Sequence, residues 1–420
     1  VTGMTDSSNP TATIQQTPPL ALSKEKETAT RGMLLRFLSQ LKHGRIELIL
    51  PDGSRQSFGE SGDSELQVRV ELLSEACYRK ILLGGSLGAA EAYLQGLWTT
   101  DDLTSLLRLM CRNLPRTEVL DNGWARIGRF AAKIGHWLSR NSFRGSQRNV
   151  AAHYDLSNDF FQLFLDPTMM YSSGIFPSPE ATMEQASVEK MERVCRLLEL
   201  QPGDHVIEIG SGWGGFSLYA ARQYGCRITT TTISQQQYDM AGDRIRSAGL
   251  SDRVTLLQDD YRTLVGQYDK LVSIEMIEAV GHQYLPSFFQ TCNQLLVPDG
   301  KMVVQAITIP DNRYDEYFHS VDFIRNYIFP GGHLPSIGAM QRATERTGLL
   351  LQEMQQFPDS YARTLQCWRQ EFEEKREQVL SLGFDERFIR MWNYYFCYCE
   401  AAFLERAVNV GLFVWDKQCY

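Results

Sequence analysis

From residue 31 to about residue 114 the apolar positions recur mostly at helical spacing, ending with Leu103, Leu106, Leu107 and Met110 on one face. One stretch breaks this rhythm. Arg45-Ile46-Glu47-Leu48-Ile49-Leu50 alternates as a half-buried strand does and runs into Pro51-Asp52-Gly53, turn chemistry that predicts a hairpin. Beyond residue 150 the pattern changes again. A short apolar run at 205–209 and further strand segments at 227–232, 254–258, 268–275 and 301–307 alternate with helical stretches, one of which aligns Val188, Met191, Cys195 and Leu198. Further strands are expected at 349–356 and 409–415. Strands spaced by helices predict βαβ units and a mostly parallel sheet covered on both faces, hence an α/β fold. The organisation read from these patterns is a disordered tail over 1–30, a small and mainly helical N-terminal domain over 31–121, a basic linker over 122–149, and an α/β domain over 150–420. There is no internal repeat.

Composition narrows the function classes. A formal net charge of −8 argues against bulk nucleic-acid binding. The nine cysteines include no CxxC pair, which points to buried thiols in a reducing cytosol and away from a disulfide framework or a metal site. Residues 1–24 are rich in Ser, Thr, Pro and Gln and lack the apolar core of a signal peptide. No apolar run is long enough to span a bilayer, so any membrane contact is expected from the aqueous side. Within 122–149 the sign of the charge reverses: Arg126, Arg129, Lys133, Arg140, Arg144 and Arg148 interleave with Trp124, Ile127, Phe130, Ile134, Trp137 and Leu138, with no acidic residue in the stretch. Two readings stand side by side, an amphipathic stretch meeting an anionic lipid surface and an interdomain helix with a solvated basic face.

The strongest local signal is Val206-Ile207-Glu208-Ile209-Gly210-Ser211-Gly212-Trp213-Gly214-Gly215, a strand entering a glycine loop that opens a helix. Gly210, Gly212 and Gly215 also match GxGxxG, so a nicotinamide dinucleotide is a rival ligand. Two features argue against it. A dinucleotide site wants a carboxylate closing the next strand to bind the ribose diol, and that strand ends Thr229-Thr230-Thr231-Thr232. Glu208 also stands two residues before the first glycine, giving the Glu-x-Gly-x-Gly-x-Gly pattern of S-adenosylmethionine (SAM) methyltransferases. SAM carries a sulfonium and an ammonium group, which suit a nearby carboxylate.

Further strings agree with SAM. They are Ala152-His153-Tyr154-Asp155-Leu156-Ser157-Asn158-Asp159, Leu165-Asp166-Pro167-Thr168-Met169-Met170-Tyr171-Ser172-Ser173, the glycine loop with Trp213, Thr232-Ile233-Ser234-Gln235-Gln236-Gln237, Asp260-Tyr261-Arg262, Glu275-Met276-Ile277-Glu278-Ala279-Val280-Gly281, Tyr327-Ile328-Phe329-Pro330-Gly331-Gly332-His333-Leu334-Pro335-Ser336, and Tyr361-Ala362-Arg363-Thr364-Leu365. Together they resemble the cyclopropane-fatty-acyl-phospholipid synthases and the related mycolic-acid enzymes. The resemblance runs from residue 153 to the C-terminus and more weakly through 44–53 and 88–98, where it is similar to the small N-terminal domain of bacterial and plant members.

The resemblance implies a Rossmann-like SAM methyltransferase sheet with helical insertions over the active site. It implies that Tyr171, Ser172 and Gly210 meet the methionine part of SAM, with Glu208, Gly212 and Gly214 in the same loop region. Thr232 and Gln237 would hold the ribose, and Asp260 and Tyr261 would flank the adenine. It also implies a reaction in which an alkene takes the SAM methyl and the resulting carbocation loses a proton to a base in a water-free pocket. That base is expected to be bicarbonate, caged by Ser173, Glu278, Gln305, Ile307 and Tyr361. Ser173 stands where many members have Cys and Gln305 where many have His; plant-type members are similar at both places. Serine and glutamine can still hydrogen-bond an anion but cannot titrate as imidazole does. The expected function is therefore cyclopropanation of a cis double bond in a phospholipid acyl chain, by a cytoplasmic protein working peripherally at the membrane, with a homodimer left open. The alternatives are a fatty-acyl methyltransferase giving a methyl-branched or methylene product, an NAD-type oxidoreductase, and a non-catalytic lipid-binding module.

If the basic stretch meets lipid, replacing Arg126, Arg129 and Lys133 with Gln weakens co-sedimentation with anionic vesicles, and salt does the same. Sedimentation insensitive to both identifies the stretch as a linker.

Overall fold

The computed structural model describes residues 24–59, 66–113, 156–319 and 322–418. Residues 1–23 of the expected tail, the basic stretch with Arg126, Arg129 and Lys133, and the His153-Tyr154-Asp155 string lie outside the described residues, whereas residues 24–30 of that tail are helical.

The N-terminal part combines three helices, Lys24–Leu38, Ala76–Leu94 and Leu103–Asn113, with a four-stranded sheet of order β2-β1-β3-β4. The predicted hairpin is β1 (Arg45–Ile49) against β2 (Arg55–Gly59), closed by Gly53 at φ 78°. The other strands, β3 (Gln67–Leu72) parallel to β1 and β4 (Trp98–Thr100) antiparallel to β3, enlarge the sheet beyond that hairpin. In β3 Val68, Val70 and Leu72 face inward while Gln67, Arg69 and Glu71 face water, the period of a one-sided sheet.

The larger part is built on a seven-stranded sheet of order β10-β11-β9-β8-β5-β6-β7. Its strands are β5 (His205–Ile209), β6 (Arg227–Thr231), β7 (Val254–Leu257), β8 (Tyr268–Ile274), β9 (Leu296–Thr308), β10 (Leu349–Gln356) and β11 (Asn409–Lys417). From β9 to β7 all neighbours are parallel; β11 enters antiparallel between β9 and β10. Because both faces are covered, β5 is buried at four of its five positions. Val206 packs with the helices Met183–Leu198 and Gly215–Tyr224, whereas Ile207 and Ile209 pack with the helix Leu285–Leu295. The chain order reverses at β5, with β6 on one side and β8 on the other, so a crevice opens at the carboxyl ends of these strands.

The helix Met183–Leu198 starts at a capping box between Thr182 and Gln185. Its buried stripe is Ala186, Ser187, Lys190, Met191, Val194, Cys195 and Leu198. Val188, expected on that face, is 37% exposed, and a lysine lies inside instead. The stripe is rotated by about one residue because Ser187 and Lys190 have buried polar partners.

A third core joins the two parts. The N-terminal sheet and helices share one apolar cluster with the helices Asn158–Gln162, Pro358–Glu374 and Glu386–Leu404. Thr104 donates to Glu400 at 2.8 Å, and Arg108 and Arg112 reach Glu405 at 2.8 and 2.7 Å. Phe160 is fully buried in an aromatic nest, its ring centroid 4.7 Å from Trp392, 5.3 Å from both Phe384 and Phe388, and 5.4 Å from Phe161. Phe160→Ala should destabilise the fold by about 3–5 kcal/mol through lost burial and a cavity, whereas Val188→Ala should stay within about 0.5 kcal/mol. Urea denaturation of the two variants checks this; equal effects contradict the packing described.

Candidate active site

The crevice at the ends of β5, β6 and β8 is lined by Tyr171, Ser172, Glu208, Gly210, Gly212, Thr232, Gln237, Asp260 and Tyr261, among others. All but one of the residues expected to hold a cofactor therefore share one cleft. The exception is Gly214, the N-cap of the loop helix, at φ 81°. The loop must bend where side chains would intrude. Gly210 is at φ 95°, and a Cβ there would come within 3.1 Å of Met276. Trp213 anchors the loop by donating from its indole nitrogen to Asn158 at 2.7 Å, and Arg244 donates to the Trp213 carbonyl at 2.6 Å.

Several lining groups are held by neighbours. The Thr232 hydroxyl donates to Gln237 Oε1 at 2.8 Å. Asp260 accepts from the backbone and guanidinium of Arg262, at 3.0 and 2.8 Å on Oδ1, so its carboxylate is fixed at the rim. Glu208 takes the hydroxyls of Ser217 and Thr230, the latter at 2.6 Å. Burial pushes its carboxyl up to about 7, against the pull of those two hydrogen bonds. On the next strand β6 ends in threonines, so no carboxylate stands where a dinucleotide ribose would need one.

Beneath the cleft, the five residues expected to cage an anion meet around a sixth, Glu275. Glu275 Oε1 accepts from the Ser173 backbone N–H at 2.9 Å and from Gln305 Nε2 at 2.8 Å; Oε2 accepts from the Tyr361 hydroxyl at 2.6 Å. Glu278 Oε1 accepts from the Ile307 N–H at 2.6 Å, while Glu278 Oε2 and Gln305 Oε1 are buried without a partner. The Ser173 hydroxyl turns away and donates to the Gly174 carbonyl at 2.9 Å. These groups come from the ends of β8 and β9, from the helix Pro358–Glu374 and from the 171–174 segment. The donor geometry leaves the expected bicarbonate without its hydrogen-bond set. The donors that would hold the ion already hold a carboxylate, and the groups left beside it are the Gln305 amide oxygen and a second acidic side chain, Glu278.

The electrostatics follow from burial. Glu275 is pushed up from the ordinary carboxylate value by burial, and pulled back by Tyr361, the Ser173 N–H, Lys190 and Gln305. Glu278 is pushed up to about 8, first by burial and then by the charge of Glu275. With three donors on one carboxylate and a single N–H on the other, the negative charge rests on Glu275 and the proton on Glu278. Tyr361 is held well above its ordinary value by burial and by Glu275, so it remains a hydrogen-bond donor. Lys190, wholly buried, donates to the Ser172 hydroxyl at 2.6 Å. Burial lowers it to about 8, while Glu275 and Asp166 act in the opposite sense.

Glu275 and Lys190 are the site residues that sequence reasoning passed over. The signal for Glu275 was present, since it stands one position past β8 and three before Glu278. The signal for Lys190 was masked because a lysine on an amphipathic helix ordinarily faces water. Beside the cage, Tyr171 lies among Phe161, Trp368 and Phe329, with centroids 5.2, 5.3 and 6.4 Å away. Its hydroxyl donates to Tyr395 at 3.2 Å. Among the described residues, no group of His, Cys, Asp and Glu is arranged to hold a metal ion.

Comparison with known proteins agrees with this architecture. Residues 141–413 match the mycolic acid cyclopropane synthetase family. The chain is 36% identical over 376 residues to tuberculostearic acid methyltransferase UfaA1 of Mycobacterium tuberculosis, covering 88% of this chain and 87% of that one. It is 32% identical over 372 residues to cyclopropane-fatty-acyl-phospholipid synthase of Escherichia coli K12, covering 87% and 91%. The solved structure of mycolic acid cyclopropane synthase CmaA1 complexed with SAH and CTAB superposes with a TM-score of 0.61 at 29% identity, covering 64% of this chain and 98% of that one.

The raised value of Glu278 fixes the sign of a pH effect. Its neutral form is the one the fold accepts, so its contribution to stability is complete below the ordinary value of 4.5 and is lost as pH rises towards about 8. Glu278→Gln should flatten the fall in urea midpoint across that window. Identical slopes in variant and wild type contradict a protonated Glu278.

Proposed function

The chain belongs to the mycolic acid cyclopropane synthetase family, and from that premise we propose that it transfers a one-carbon unit from SAM to a cis double bond of a phospholipid acyl chain, closing a cyclopropane ring. It is a SAM-dependent transferase of the α/β class. The observation that carries the proposal is a buried carboxylate, Glu275, that lines the nucleotide cleft on one side and takes three hydrogen bonds from the cage on the other.

When bound, SAM supplies an electrophilic methyl on a cationic sulfur. Tyr171, Ser172 and Gly210 are assigned to its methionine part, the Thr232–Gln237 pair to the ribose, and Asp260 and Tyr261 to the adenine. Lys190 orients the Ser172 hydroxyl from below. Glu208 and Glu275 give the cleft the negative potential that a sulfonium and an ammonium group require. An alkene is a weak nucleophile, and its attack leaves a carbocation that water would quench. Phe161, Trp368 and Phe329 pack around Tyr171, which lines the cleft, and this apolar backing helps keep water from the site. Gln305 and Tyr361 hold the acidic floor in place. No step is routed through bicarbonate, because the donor set does not fit it.

The phospholipid substrate and the peripheral contact with a membrane are part of the proposal. No helix among the described residues is long and apolar enough to cross a bilayer. A second reading, a methyl-branched or methylene product, is favoured by the likeness to tuberculostearic acid methyltransferase. The two outcomes share the first bond and differ in which carbon surrenders the proton.

Mass spectrometry of host lipids with and without expression tests the proposal. The expected result is unsaturated phospholipid chains heavier by one methylene, with cyclopropyl protons in the NMR spectrum. Unaltered lipids under wild-type expression overturn the reading, and vinyl or branched-methyl signals select the second one.

A further inference from the structure

We infer that the Glu275 carboxylate is itself the general base of the reaction, built into the position where an exogenous anion would sit, and that turnover is therefore independent of bicarbonate. The inference rests on the proposed transfer from SAM to an alkene. Its geometric ground is that Glu275 uses the hydrogen-bond set an anion needs: a backbone N–H from Ser173, the amide of Gln305 and the hydroxyl of Tyr361, at 2.9, 2.8 and 2.6 Å. These three bonds fix both carboxylate oxygens, so the base is aimed before substrate arrives.

A second observation is independent of the hydrogen bonds. Glu275 has φ 49°, in the left-handed region that ordinarily favours glycine. Strain of this kind persists where the surrounding structure holds it in place, and it concentrates at functional sites. Here it turns the side chain from the end of β8 into the cage. The backbone is pinned there by the bond from Glu275 N–H to the Gln305 carbonyl at 2.9 Å. Glu278, with one N–H donor and an unpartnered buried oxygen, is the poorer carrier of charge.

The alkene pair forms the new carbon–carbon bond to the SAM methyl, and the carbon–sulfur pair leaves with S-adenosylhomocysteine. Glu275 takes one proton from the added methyl, and the freed C–H pair closes the ring onto the cationic carbon. Protonated Glu275 returns its proton to solvent through the cleft it lines once the nucleotide product leaves. No oxidant or further reactant is needed.

The test uses the purified full chain, vesicles of unsaturated phospholipid and labelled SAM, in buffer stripped of carbon dioxide or supplemented with bicarbonate. S-adenosylhomocysteine affinity serves as the control for folding of each variant. Wild-type enzyme should turn over at the same rate in both buffers. Glu275→Gln should lose about 10²-fold or more in both. Glu275→Gly relieves the positive φ and empties the anion position; it should be equally impaired in stripped buffer and regain about tenfold or more with bicarbonate. A wild-type rate that collapses without bicarbonate overturns the inference, as does a near wild-type rate for either variant in stripped buffer. Absence of lipid modification by wild-type enzyme in both buffers instead overturns the transferase reading on which the inference stands.

Discussion

Two carboxylates three residues apart are buried at the end of one central strand, and much of the molecule is arranged around that cost. Isolated buried charge is unfavourable by several kcal/mol. Glu275 is tolerable only because donors reach it from three separate elements: the 171–174 segment, β9 and the helix Pro358–Glu374. Glu278 is tolerable because it keeps its proton and meets the Ile307 N–H at the end of the same β9. A sheet that did not bring β8 beside β9, or a helix that did not deliver Tyr361, would leave a bare charge in the core. The site and the fold thus stabilise or fail together.

The same arrangement suits a reaction that passes through positive charge. A fixed anion close to a nucleotide cleft lowers the energy of a cationic transition state without having to reorganise. The apolar and aromatic surroundings that raise both carboxylates also keep water from the cation. Lys190 completes the balance. Its buried ammonium offsets the acidic floor and holds Ser172, which faces the cleft. Sharing of the third hydrophobic core between the N-terminal sheet and the helices Pro358–Glu374 and Glu386–Leu404 means that Tyr361 is positioned partly by residues far from it in sequence.

Much of this was legible in the chain. The parallel strands declared themselves as short β-branched or apolar segments spaced by helical stretches, and Glu208 with the threonine end of β6 distinguished SAM from a dinucleotide. Other features were not legible, for identifiable reasons. β4 has three residues, too few to show a period. The buried stripe of the helix Met183–Leu198 includes Lys190 and excludes Val188, since a lysine with a buried hydroxyl partner can replace an apolar side chain. Glu275 was visible as a letter but not as a centre. Spacing cannot tell which of two carboxylates turns inward, and here the answer depends on one left-handed backbone torsion.

The most direct test of Glu275 as the resident anion is crystallographic. Wild-type protein and the Glu275→Gly variant, each crystallised with S-adenosylhomocysteine, would be soaked in bicarbonate and their difference density compared at the Ser173 N–H and the Tyr361 hydroxyl. An anion bound there in the variant, and the Glu275 carboxylate alone in the wild type, is the expected result. Bicarbonate bound in the wild-type cage, with Glu275 displaced from those donors, contradicts it.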